Sequence, residues 1–200
     1  MESTDKPIAL PPKAEAAPPA AAAKCPFNYS VVDVALRVLL FAASLSSVVV
    51  MVTSKQTKLV PMPGFPTGPR VTIPAKFNHS PALIYFIAAL SVTGLYSIIT
   101  TLASISIIQK PAYSKSFLLV FAFLDVVFVG IVASATGAAG DVGYIGLKGN
   151  SHVGWTKICG VYDKFCRHIG SSVALSLFAA ILLVFLSMMS TFTLYKRIRD

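Results

Sequence analysis

Four blocks of continuous apolar residues, separated by polar stretches, set the pattern of this chain. They run from Val31 to Val52, Ala82 to Ile108, Phe117 to Ala139 and Ser171 to Tyr195. Each reaches the roughly 20 residues needed to cross the hydrocarbon core of a bilayer. A backbone in lipid must satisfy its own hydrogen bonds, and these runs lack the alternation of barrel strands, so each is predicted to be a helix. The expected fold is an all-α membrane protein: a four-transmembrane-helix bundle over residues 31–195, with a disordered N-terminal tail over 1–30 and a short C-terminus over 196–200.

The connections refine this picture. Residues 109–116 form a short link that forces the second and third spans to be antiparallel neighbours, whereas the other two connections are 29 and 31 residues long. The first long connection is rich in proline (Pro61, Pro63, Pro66, Pro69, Pro74) and reads as an irregular connector. In the second, Gly137, Gly140, Gly143, Gly146 and Gly149 recur every third residue, which reads as flexible chain leaving the third span. The tail is dominated by Pro and Ala, which favours disorder. It also lacks the early apolar core of a secretory signal, so the first span is expected to stay as an anchor.

Composition agrees with the pattern. The chain is 55% hydrophobic and only 12% charged, against about 25% charged in soluble domains, which excludes an ordinary water-soluble enzyme. The net charge is +9, but its cations are spread over tails and loops beside the expected spans. They suit membrane lipids as neighbours and give no nucleic-acid signature. Positive residues are biased towards the cytosol. Here the tail, the short link and the C-terminus carry eight Lys and Arg, and the two long loops carry eight more. Lys196, Arg197 and Arg199 abut a span, and Lys110 and Lys115 crowd the short link, so both termini are expected in the cytosol. The sequons at Asn28 and Asn78 then fall on opposite sides, and both lie close to a span.

Arg37 and Asp125 are the deepest charges in the apolar blocks, where an ionisable residue needs a partner. Arg37 lies ~9 Å and Asp125 ~12 Å from the start of two spans that run in the same direction. An interhelical pair is expected, with Asp33, one turn before Arg37, as the competing partner. Such a pair acts as a clamp on helix register or as part of an ion relay. Small residues recur at four-residue spacing: Ala43 and Ser47; Gly130 with Ser134 and Ala133 with Gly137; Ser172, Ser176 and Ala180. These stripes let helices approach closely, either inside the bundle or between copies.

Cys159 and Cys166 lie in the second long loop. On the oxidising side of a membrane they would form a bridge, with a zinc site using His152 or His168 as the alternative. Cys25, beside the first span, is a palmitoylation candidate or a plain thiol. No nucleophile elbow, P-loop or H-E-x-x-H occurs. The expectation is no catalytic residue, no metal and no cofactor.

With Arg37, Asp125, the short link and the loop string GYIGLKGNSHVGWTKICGVYDKFCRHIGSS in place, the chain resembles the Casparian strip membrane domain protein-like (CASP-like) family of land plants, in its first subgroup. That family is related to the MARVEL tetraspans. The resemblance implies a multi-pass plasma-membrane scaffold rather than an enzyme. Such a scaffold forms homodimers or hetero-oligomers with related tetraspans, makes stable membrane platforms and recruits cell-wall-modifying enzymes. It also carries the family's first-span Arg and third-span Asp onto Arg37 and Asp125. The alternative function is a small-solute or ion transporter or channel subunit. Its pore could draw only on second-span hydroxyls such as Ser91, Thr93, Ser97, Thr100, Thr101 and Ser104.

Overall fold

The computed structural model of the chain describes residues 29–61, 70–109 and 114–199. Four helices carry the four apolar blocks: α1 (Tyr29–Val52), α2 (Pro81–Gln109), α3 (Ser114–Lys148) and α4 (Asp163–Arg199). All four are long and apolar enough to cross a membrane. Pro81 opens α2, where its missing N–H costs nothing. Most of the tail, with Cys25 and Asn28, lies outside the described residues, as do residues 110–113 of the short link.

The helices form a ring in which α1 packs on α2, α2 on α3, α3 on α4 and α4 on α1. The expected neighbours α2 and α3 do pack together, whereas α1 and α3 stand on a diagonal. The centre is filled by Leu40, Met51, Phe86, Leu90, Val132, Leu183 and Leu186, all buried. Large apolar side chains such as Val38, Leu95, Phe123 and Phe185 point outwards. Apolar surface on every side suits a helix bundle solvated by lipid.

Three expectations about the connections are corrected. The glycine series is helical: α3 continues to Lys148, nine residues past Ala139. A Cβ on Gly140 would meet Val173 at 3.9 Å, one on Gly143 would meet Ile169 at 3.3 Å, and one on Gly146 would meet the Cys159 sulfur at 3.5 Å. Spaced three apart, these glycines make a flat face onto which α4 and the second loop pack. That contact offsets the roughly 1 kcal/mol by which each Gly disfavours a helix. The helix stops at Gly149, whose φ is +67° and whose Cβ would lie 2.7 Å from the Trp155 carbonyl.

Next, α4 starts at Asp163, eight residues before Ser171, so the loop between α3 and α4 shrinks to residues 149–162. Finally, the first long connection contains a β-hairpin rather than only irregular chain: β1 (Lys55–Pro61) pairs antiparallel with β2 (Arg70–Lys76). Its strands include the β-branched residues Thr57, Val60, Val71, Thr72 and Ile73. In a two-stranded sheet both strands are edges, so Pro61 and Pro74 are tolerated. A single 3₁₀ turn, Phe77–His79, joins the hairpin to α2 and holds Asn78.

At 1.5 Å per residue, the 35 residues of α3 and 37 of α4 span about 52 and 55 Å, against a hydrocarbon core of about 30 Å. Asp141, Lys148, Asp163, Lys164 and Arg167 are exposed at the paired ends of α3 and α4, so these ends project from the apolar zone. The hairpin docks on the start of α4 and the loop before it. The Tyr162 hydroxyl donates to the Ile73 carbonyl at 2.9 Å, and the Gln56 side-chain oxygen accepts from the Phe165 N–H at 3.0 Å.

Candidate functional site, a buried polar network

Arg37 stands two turns into α1 and reaches across the centre of the ring. Its Nε donates to Asp33 at 3.1 Å and its Nη2 to Asp125 on α3 at 3.4 Å. The two partners weighed as competitors are therefore engaged together. The diagonal placement of α1 and α3 explains why the long arginine is required: no direct packing of the two helices brings the charges together.

The carboxylates draw further donors from every other helix. On α2, the Tyr96 hydroxyl donates to Asp125 at 2.6 Å and the Ser104 hydroxyl to Asp33 at 2.8 Å. On α4, Ser190 reaches Asp125 at 3.5 Å, the outer limit of a hydrogen bond. The Ser97 hydroxyl donates to the backbone carbonyl of Arg37 itself. The Tyr96 ring stacks on Phe128 with centroids 4.1 Å apart, which fixes the direction of its hydroxyl. Arg37 Nη1 has no hydrogen-bond partner among the described residues. The guanidinium carbon lies 5.4 Å from the centroid of the Phe121 ring, close enough for a cation–π attraction.

Burial sets the energetics. Arg37 is 1% exposed and Asp125 is 0% exposed, so loss of either partner strands a charge in a poorly solvated interior. Such a break costs about 3–5 kcal/mol, although an intact buried pair is by itself weak evidence of net stabilisation. What the network does is join all four helices at one depth, and hence fix their register.

A second polar layer lies farther along the bundle. The Ser47 hydroxyl donates to the Ser172 carbonyl at 2.8 Å, and the Ser172 hydroxyl donates back to the Ser47 carbonyl at 2.7 Å. These reciprocal bonds hold the α1 and α4 backbones in close approach. The Thr136 hydroxyl donates to Ser176 at 3.0 Å and ties α3 to α4. Ala43, Ser47, Ser172 and Ser176 therefore belong to the interior, and Ala180 is half-buried beside the core. Gly130, Ala133, Ser134 and Gly137 face outwards on α3, and a Cβ on Gly130 or Gly137 would meet nothing within 4 Å. The small-residue stripes thus divide into packing inside the bundle and one open face. Tyr85 reaches over from α2 to Ser134 at 2.9 Å.

Cys159 and Cys166 form a disulfide with Cα atoms 5.6 Å apart, linking the loop to the first turn of α4. No group of three or more metal-ligating side chains occurs among the described residues. His152 is bound through its backbone N–H to Asn150, and the His168 ring contacts the Lys164 carbonyl.

Tyr96, Phe121 and Ser190 were not singled out from the sequence. Nothing in an apolar run marks which hydroxyl faces a carboxylate, although a tyrosine in the middle of a span does need a partner for its O–H.

The family model for the Casparian strip membrane protein domain matches residues 28–182, which contain the network apart from Ser190, the serine layer through Ala180 and the disulfide. CASP-like protein 1D1 of Populus trichocarpa is 63% identical over 198 residues, covering 99% of both chains. CASP-like protein 1D1 of Vitis vinifera is 60% identical over 172 residues, covering 86% of this chain and 82% of its own. CASP-like protein 1D2 of Glycine max is 52% identical over 199 residues, covering 99% of both. No solved structure matches the chain.

Proposed function

Because the chain belongs to the Casparian strip membrane protein domain family, we propose that it is a non-enzymatic plasma-membrane scaffold. It self-associates laterally, alone or with related tetraspans, and holds cell-wall-modifying partners at a membrane platform. Both termini face the cytosol, and the hairpin and disulfide loop face outwards.

The observation that carries this reading is how the polar interior is used. Of the second-span hydroxyls a pore would need, those of Thr93, Thr100 and Thr101 are bonded to carbonyls one turn back on α2, Ser97 to the Arg37 carbonyl and Ser104 to Asp33. Ser97 and Ser104 thus tie α2 to α1 and the three threonines are satisfied within α2, whereas a permeation path needs polar groups free to exchange with solute. The open face of α3 around Gly130 supports the lateral contact, since close backbone approach drives association in lipid. The disulfide supports the outward placement, because such bonds persist in oxidising compartments.

Fluorescence recovery of a tagged chain in the plant plasma membrane tests the reading. Slow recovery is expected for the native chain and faster recovery for Gly130→Leu, with wall-modifying enzymes co-purifying with the native form. Free diffusion as a monomer, or solute flux through the purified protein in vesicles, would favour the transporter reading.

A further inference from the structure

We propose that the end of the molecule formed by the β1–β2 hairpin and the disulfide loop binds an acidic polysaccharide, with Trp155 as a platform for a sugar ring and the surrounding cations seating its carboxylates. The inference rests on the outward placement of these loops given above, not on lateral self-association.

Charge is the first observation. The hairpin exposes Lys55, Lys58, Arg70 and Lys76. The α3–α4 end exposes Lys148, Lys157, Lys164 and Arg167, and the acidic residues in these two connections are Asp141 and Asp163. The eight cations thus outnumber the acids by six. Lys55 lies directly opposite Lys76 in the hairpin register, a like-charge pair that is unfavourable unless an anion sits between the two. Lys157 and Arg167, with Asp163 as the one acid, line a cavity of about 420 Å³ beside the disulfide.

With these loops outside, position argues against the usual partner of loop cations, an anionic lipid surface. Anionic lipid is concentrated in the cytosolic leaflet, and translocated loops normally carry few Lys and Arg. Lys148 also stands nine residues beyond Ala139. That is about 14 Å of helix beyond the end of the apolar block.

The aromatic is the second, independent observation, and it points to a sugar rather than a generic polyanion. Trp155 is 55% exposed, yet its backbone is locked to Asn150 by two hydrogen bonds of 2.9 Å. An open indole on a fixed backbone, with Lys148 and Lys157 on either side of it in the sequence, offers an apolar face to a pyranose ring and nearby cations for uronate carboxylates. Tyr144 lies one turn before Lys148 and is also exposed.

Trp155 is the chain's single tryptophan, so its fluorescence reports binding directly. The full chain in vesicles of zwitterionic lipid is titrated with a de-esterified oligogalacturonate and with the same oligomer fully methyl-esterified. The expected result is a saturable change in emission with the acidic oligomer, at least about tenfold weaker with the ester and weakened about tenfold or more between 50 and 200 mM salt. The double variant Lys148→Gln, Lys157→Gln should lose about tenfold in affinity with an unchanged unfolding temperature, the loss expected when cation contacts to a polyanion are removed. Equal response to both oligomers, or none to the acidic one at low salt, would overturn the proposal. So would quenching of Trp155 by brominated acyl chains, which would place it in the bilayer interface. Labelling of intact cells by a membrane-impermeant amine reagent decides placement separately: loops found in the cytosol would also overturn it. A protein that diffuses freely but passes the titration would sink only the scaffold reading.

Discussion

Arg37 is the residue on which the interior turns, because it is the only cation within the apolar blocks and it answers two carboxylates at once. Arg37→Ala leaves Asp33 and Asp125 facing each other without a counter-charge. Asp125→Ala leaves Arg37 with Asp33 alone. Both should lower the folded yield, Arg37→Ala more, with losses approaching the roughly 3–5 kcal/mol of a broken buried pair. The exchange Arg37→Asp with Asp125→Arg recovers part of that loss, limited because the new carboxylate sits one turn from Asp33. Adding Asp33→Asn to the exchange should improve the recovery. Thermal unfolding in detergent, followed by size-exclusion chromatography, reads all four; an exchange no better than the singles, with Asp33→Asn neutral, would show that the pairing does not matter. Tyr96→Phe removes the 2.6 Å donor to Asp125 and should cost about 1.5–3 kcal/mol, the range for a hydrogen bond to a charged group.

The helices differ in what their small residues do. Ser176 is buried against Thr136, so Ser176→Leu forces extra volume between α3 and α4 and should destabilise the fold by about 1–3 kcal/mol. Gly130 has open space where a Cβ would go, so Gly130→Leu should leave unfolding unchanged while speeding recovery in the membrane. A Gly130→Leu chain that unfolds early would assign that face to the interior. The disulfide closes a short loop onto the first turn of α4. Cys159→Ser should cost about 2–3 kcal/mol on the loop-entropy scale, read as a lower unfolding temperature. Mass analysis of non-reduced peptides from membrane-derived protein should find the two cysteines joined, and free thiols there would remove the bridge.

At the scale of the whole molecule, the bundle has one projecting end, made by the overhang of α3 and α4 with the hairpin docked against it. The other end carries the start of α1 and the end of α4. With both termini in the cytosol, as proposed, a tag at the C-terminus should resist external protease on sealed, right-side-out vesicles. Digestion of the tag from outside would reverse the molecule and carry the disulfide loop into a reducing compartment.

The apolar blocks by themselves determined four helices, the antiparallel neighbours α2 and α3, and the isolation of Arg37 and Asp125, because hydrocarbon permits few backbone solutions and makes each buried charge conspicuous. The hairpin was not legible, because prolines inside both strands marked the segment as irregular chain. Only the tertiary structure decided that α1 and α3 stand on a diagonal, that Arg37 binds both aspartates across it, and that Tyr96 and Ser190 complete the shell. Those facts depend on which face of each helix meets which neighbour, and four helices that are apolar on every side carry little amphipathic signal to rank their faces. Likewise, a glycine every third residue reads as flexible chain until α4 is laid against it, when close packing supplies the stability that intrinsic helix propensity withholds.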